Sequence, residues 1–149
     1  MSGRVGLEER SPQDESSTSS PYAEATFRYS YSDQSFVSAG YSYSLEETDD
    51  PLHYTDSRTN RFFVNVQHAL TPSFIASASA TVAPGTLLGI PGVANNVQET
   101  STRLGAALTY VVRKNLSVSA TYDYDNVSSD KAYREQLRSR VGINASLYF

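Results

Sequence analysis

Apolar and polar residues alternate with a period of two along nearly the whole chain. Val141, Ile143, Ala145, Leu147 and Phe149 share one parity, while Arg140, Gly142, Asn144, Ser146 and Tyr148 share the other. Successive side chains leave opposite sides of a pleated strand, so this period marks a β-strand with one apolar face. The pattern repeats over 116–124, 104–112, 74–82, 62–66, 37–45 and 23–31. Val5 and Leu7, opposed by Arg4, Gly6 and Glu8, mark a shorter eighth strand. No segment carries an apolar stripe at helical spacing. The expectation is an all-β chain of about eight antiparallel strands.

Composition narrows the function classes. A length of 149 residues predicts one domain over 1–149, with truncation at the N-terminus as the alternative. The formal net charge of −4 and the absence of a Lys/Arg cluster argue against nucleic acid as a partner. With no cysteine and two histidines, neither a thiolate metal site nor thiol catalysis is available. A mean hydropathy of −0.41 excludes a long apolar helix. It leaves open a transmembrane β-barrel, whose alternating strands average to a polar score. The N-terminal residues contain no basic stretch followed by an apolar run, so no signal peptide is read in this chain.

The connections alternate in length. Residues 32–35, 68–73 and 113–114 read as short turns, and 10–21, 46–56, 84–99 and 125–135 as long polar loops, often acidic. Short turns at one end and long loops at the other describe the up-and-down meander of an outer-membrane barrel. Pro12, Pro21, Pro51, Pro72, Pro84 and Pro91 fall between or at the ends of the runs, where a missing N–H is harmless. Gly6, Gly40, Gly105 and Gly142 lie on the polar parity, where they would make room for bulky neighbours.

Apolar runs of about nine residues match the roughly 9–11 that a tilted strand needs to cross hydrocarbon. Their middles hold small residues such as Ala76, Ala78, Ala106 and Ala120. Tyr29, Tyr31, Phe74, Tyr110 and Phe149 fall near the short turns, and Tyr43, Tyr122 and Tyr124 near the long loops. Two aromatic girdles are thereby predicted. On the polar parity stand Arg4, Glu8, Glu24, Arg28, Arg61, Arg103, Asp123 and Arg140, the candidates for a lumen-facing charge set. Parity alone leaves open which face is inside: a soluble barrel would bury the apolar one.

The ending Ser146-Leu147-Tyr148-Phe149, with Val141, Ile143 and Ala145 on the side of the terminal Phe, resembles the C-terminal assembly signal of Gram-negative outer-membrane barrels. Ser20-Pro21-Tyr22-Ala23-Glu24, Val64-Asn65-Val66-Gln67-His68-Ala69-Leu70 and Leu108-Thr109-Tyr110 resemble the bacterial outer-membrane β-barrel (porin-like) family, some members of which are associated with exopolysaccharide export. Members of that family are longer and carry a signal peptide. The resemblance therefore implies either a complete eight-stranded transmembrane barrel or the C-terminal portion of a larger one. It also implies a place in the outer membrane, with lipid and the barrel assembly machinery as partners, and it brings no catalytic residues or cofactor.

Other chemistry is weak. His53 stands near Asp49, Asp50 and Asp56 without calcium-loop spacing, which reads as a solvated acidic loop. His68 has no Ser or carboxylate placed beside it, so no catalytic residue is assigned. The 84–99 loop is unusually apolar, with Leu87, Leu88, Ile90 and Val93, and reads equally as a plug or partner grip and as a mobile surface loop. The functional expectation is a porin-like passive channel or a structural membrane barrel, its solute a small molecule or polysaccharide and its oligomeric state open. An adhesin acting through the acidic loops and a soluble ligand-binding β-barrel are the alternatives.

Overall fold

The computed structural model describes residues 2–10, 18–47 and 52–147. Eight strands follow one another: β1 (Ser2–Arg10), β2 (Thr18–Ser32), β3 (Ser35–Glu47), β4 (Tyr54–Ala69), β5 (Phe74–Gly89), β6 (Val97–Arg113), β7 (Leu116–Ser129) and β8 (Gln136–Leu147). Each pairs antiparallel with the next, in the order β1 to β8, within one sheet. This is the up-and-down meander that the alternation predicts.

The short turns are where the sequence places them. Two residues, 33–34, join β2 to β3; 70–73 join β4 to β5; and 114–115 join β6 to β7. They are stitched together by polar groups. Gln67 Nε2 donates to the Gln34 carbonyl at 3.0 Å, and Ser35 Oγ accepts from the Ala69 N–H at 3.0 Å. Thr71 Oγ1 accepts from the Phe74 N–H at 3.0 Å, closing the β4–β5 turn.

At the other end the strands run further than hydropathy predicts. β5 continues to Gly89 and β6 starts at Val97, so the expected loop over 84–99 shrinks to 90–96. Likewise β7 reaches Ser129, and a short 3-10 turn at Ala132–Arg134 leads into β8. The physical reason is that ladders are built from backbone groups, which continue to pair after apolar alternation has ended. Two prolines consequently lie inside strands. Pro21 opposes Leu7 on β1 and lies two residues before Ala23, which pairs with Tyr43 on the β2–β3 ladder. Pro84 opposes Thr100 on β6, while the β4–β5 pairing is interrupted between Thr59↔Gly85 and Phe62↔Val82. That gap lies where Pro84 has no N–H to donate.

The two faces separate cleanly. Cavities on the polar parity are bordered by consecutive strands, one by β4 to β7 and another by β3 to β7. Side chains of so many adjacent strands border one space only if the sheet curls toward that face. The polar face is therefore concave. The apolar parity lies outside and uncovered: Val141 and Ile143 are 82% and 81% exposed, and Phe27, Tyr29, Phe62, Leu104 and Leu108 are exposed on the same face. Among the described residues, buried hydrophobic side chains are confined to one cluster, Tyr54, Leu87 and Val97, with Ala94 packed against it. A soluble sheet this large would cover its apolar face with a second layer.

Two concave-face glycines act as the sequence predicts. A Cβ on Gly6 would enter the ring of Tyr22, and one on Gly40 would enter the ring of Phe63. At Gly105 and Gly142 the neighbours are smaller, the hydroxyls of Ser79 and Thr121.

Aromatic side chains gather on the convex face. At the short-turn end Phe74 stacks on Tyr110 with centroids 4.6 Å apart, and Tyr31 stacks on His68 while sharing a 3.0 Å hydrogen bond with its Nδ1. Nearer the loops Tyr41, absent from the predicted girdle, packs on Phe62 and donates a 2.7 Å hydrogen bond to Asn60 Oδ1. Tyr122 lies mid-strand, opposite Ala106, because β7 extends beyond it. Phe149 lies outside the described residues.

Candidate functional site

Register decides which charges meet on the concave face. Arg4 stands opposite Glu24 on the β1–β2 ladder. Glu8 opposes Ser20 there, and its side chain lies outside what the structure describes. Arg28 is engaged by an aromatic ring: its Cζ lies 3.7 Å from the centroid of Phe36, a cation–π contact between neighbouring strands. Asp123 lies between Gly105 and Arg140 in the register and borders the cavity at the turn side.

The centre of the charge set is Asp125, which the sequence alone places at the start of the 125–135 loop. Asp125 Oδ2 accepts from Arg140 Nη2 at 3.0 Å, and its Oδ1 lies 3.5 Å from Arg103 Nε. One carboxylate on β7 thus stands between guanidiniums from β6 and β8. Arg138 is its direct register partner. Continuing the 119–123 parity by one more step would have found Asp125; Arg138 follows from Arg140 in the same way. The apolar alternation fades there, so neither residue carries a strand signal in the sequence.

Glu99, also assigned to a loop, closes the site toward the long-loop end. Its carboxylate accepts from Arg134 Nε and lies 3.5 Å from Arg134 Nη2, while Ser129 Oγ donates to it at 3.1 Å. Both partners are largely buried, with 20% and 24% of their side chains exposed. The hydrogen bond to Glu99 raises the Arg134 pKa above its ordinary value, because the carboxylate stabilises the charged guanidinium. Asp130 adds a backbone clamp: its Oδ2 accepts from the Gln98 N–H at 3.1 Å, and its own N–H donates to the Gln98 carbonyl at 3.1 Å. The β7–β8 connection is therefore tied to β6.

Beside these groups lies a cleft of about 250 Å³ on the concave face. Arg61, Arg103 and Glu99 border it, together with the hydroxyls of Thr59, Thr81 and Ser101. Arg61 comes from the stretch where the β4–β5 ladder is interrupted, and it has no ion-pair partner among the described residues. At the loop end Leu87 and Val97, paired across β5–β6, pack with Tyr54. This part of the 84–99 segment is therefore buried against the concave face, while Val93 at the tip is exposed.

Nothing among the described residues forms a group of His, Cys, Asp or Glu suited to a metal ion. Asp49 and Asp50, named beside His53, lie outside the described residues. His53 uses its carbonyl to accept from the Ile90 N–H at 2.9 Å. Among the described residues no helix is long and apolar enough to cross a membrane, a statement that bears on helices alone.

The residues proposed as an assembly signal, Val141, Ile143, Ala145 and Leu147, all lie on the convex face of the edge strand β8. Neither the curated proteins nor the solved structures contain a match to this chain. A family model described as putative beta-barrel porin 2 matches residues 4–149, nearly the whole length. An exposed apolar face, a charged concave face and that match agree, and the chain belongs to the putative beta-barrel porin 2 family.

Proposed function

We infer that the chain forms the wall of a passive, porin-like channel in the outer membrane of a Gram-negative bacterium. The convex apolar face would meet lipid, and the concave charged face would line the solute path. The observation that carries this reading is the arrangement of the two faces: large apolar side chains lie uncovered while the arginines and carboxylates face the hollow. Water favours the reverse arrangement, whereas hydrocarbon favours this one. No backbone edge is tolerated in lipid, so β1 and β8 need partners there, either each other or further strands. Val141, Ile143, Ala145, Leu147 and Phe149 would be read by the assembly machinery before insertion.

The test is refolding into detergent micelles and lipid vesicles, followed by heat-modifiable gel migration and planar-bilayer conductance on the same sample. The expected result is a heat-modifiable band with discrete conductance steps. A heat-modifiable band without conductance would make this a structural barrel. Monomeric solubility in plain buffer would overturn the membrane reading.

A further inference from the structure

We propose that the cleft between β4, β5 and β6 is a binding station for a small polyhydroxylated organic anion, of the size and chemistry of a sugar acid. The inference rests on the channel reading for its location and deepens it by naming a solute class.

Three properties of the cleft lead there. The first is uncompensated positive charge. Glu99 is already taken by Arg134, and Asp125 is shared by Arg103 and Arg140. Arg61 has no ion-pair partner among the described residues, and Glu24, which borders the adjoining recess with it, stands opposite Arg4, so the cleft keeps an excess of cation. The second is availability. The Arg103 side chain is 72% exposed and its contact to Asp125 is long at 3.5 Å, so it can turn to a ligand at little cost. Two guanidinium forks, from strands on either side of β5, suit a carboxylate, which they bind through paired N–H donors.

The third property is the lining between the charges. Thr59, Thr81 and Ser101 present hydroxyls that both donate and accept, while Ala83 and Val127 offer apolar contact. A simple inorganic anion uses the arginines alone. A sugar acid uses both, with its hydroxyls on the Ser/Thr groups and its C–H face on the apolar ones. A volume of about 250 Å³ lies below the roughly 300–1,000 Å³ of drug-sized pockets, which limits the ligand to about one sugar ring.

The experiment is equilibrium binding to the refolded chain in detergent micelles, with D-galacturonate as the probe and galactose and acetate as comparators. Galactose has the hydroxyls without the charge, and acetate the charge without the hydroxyls. Galacturonate is expected to bind at least about tenfold more tightly than either, and to weaken as salt rises. Arg61→Gln and Arg103→Gln are each expected to lose about tenfold, and Arg61→Lys part of that, with heat-modifiable migration verifying the fold of every variant. Lys114→Gln, in the β6–β7 turn, removes the same charge and should bind as the parent does. Equal binding of acetate and galacturonate would overturn the sugar-acid assignment. Unchanged binding in the Arg61 and Arg103 variants would overturn the site. Binding without bilayer conductance would uphold the site while sinking the channel, and conductance without binding would do the opposite.

Discussion

The ring of Phe63 occupies the space above Gly40, its partner across the β3–β4 ladder, where any other residue would place a Cβ. The added atom would also sit 2.7 Å from the Ala25 carbonyl oxygen on β2, a backbone atom that cannot turn away. Gly40→Ala is therefore expected to destabilise the folded form by about 1–3 kcal/mol. Urea titration followed by heat-modifiable migration would measure it. Phe63→Leu in the same chain should recover only part of the loss, because the carbonyl clash remains.

The Asp125 bridge makes an opposed pair of predictions for ion selectivity. Asp125→Asn leaves Arg103 and Arg140 without their shared carboxylate and is expected to shift the reversal potential toward anions. Arg61→Gln and Arg103→Gln together should shift it toward cations. Because Arg140 and Arg103 are more than half exposed, the stability cost of Asp125→Asn should stay within about 1 kcal/mol. Shifts of the same sign from both changes would show that these groups do not line the path.

Neighbouring positions on β8 should respond differently to the same substitution. Ile143 lies on the convex face and Asn144 on the concave one. Ile143→Arg would place a charge in lipid, costing about 2–4 kcal/mol at the bilayer midplane and less toward either surface. Asn144→Arg should fold with nearly the parent's yield. Folding yield into vesicles reads the contrast directly, and equal yields would remove the lipid assignment of the convex face.

Arg134 and Glu99 fasten the β7–β8 connection to β6. Glu99→Gln weakens that anchor while the Asp130 clamp on Gln98 persists. The expected outcome is faster tryptic cleavage after Lys131 and Arg134, with the strands still protected. An unchanged cleavage rate would mean that Asp130 alone holds the connection.

Much of this architecture was legible in the chain itself. Alternation such as 104–112 requires strands, and turns as short as 32–35 and 113–114 require antiparallel neighbours. That legibility stops where the alternation stops. The strand ends near Glu99 and Asp125 are mostly polar on both parities, and the stretch after Pro84 carries Leu87 and Leu88 on opposite ones, so alternation is lost and backbone pairing there is invisible to hydropathy. For that reason Asp125 and Glu99 read as loop residues although they lie on β7 and β6, whereas Arg134 does lie in the β7–β8 connection, as its sequence suggests.

By itself the sequence determined the strands, their order and the residues sharing each face, because a period of two is a local property of the pleat. Only the tertiary structure decided which face is concave and which arginines border one cleft. Curvature and cross-strand register arise from the pairing of all eight strands together, and no single segment encodes them.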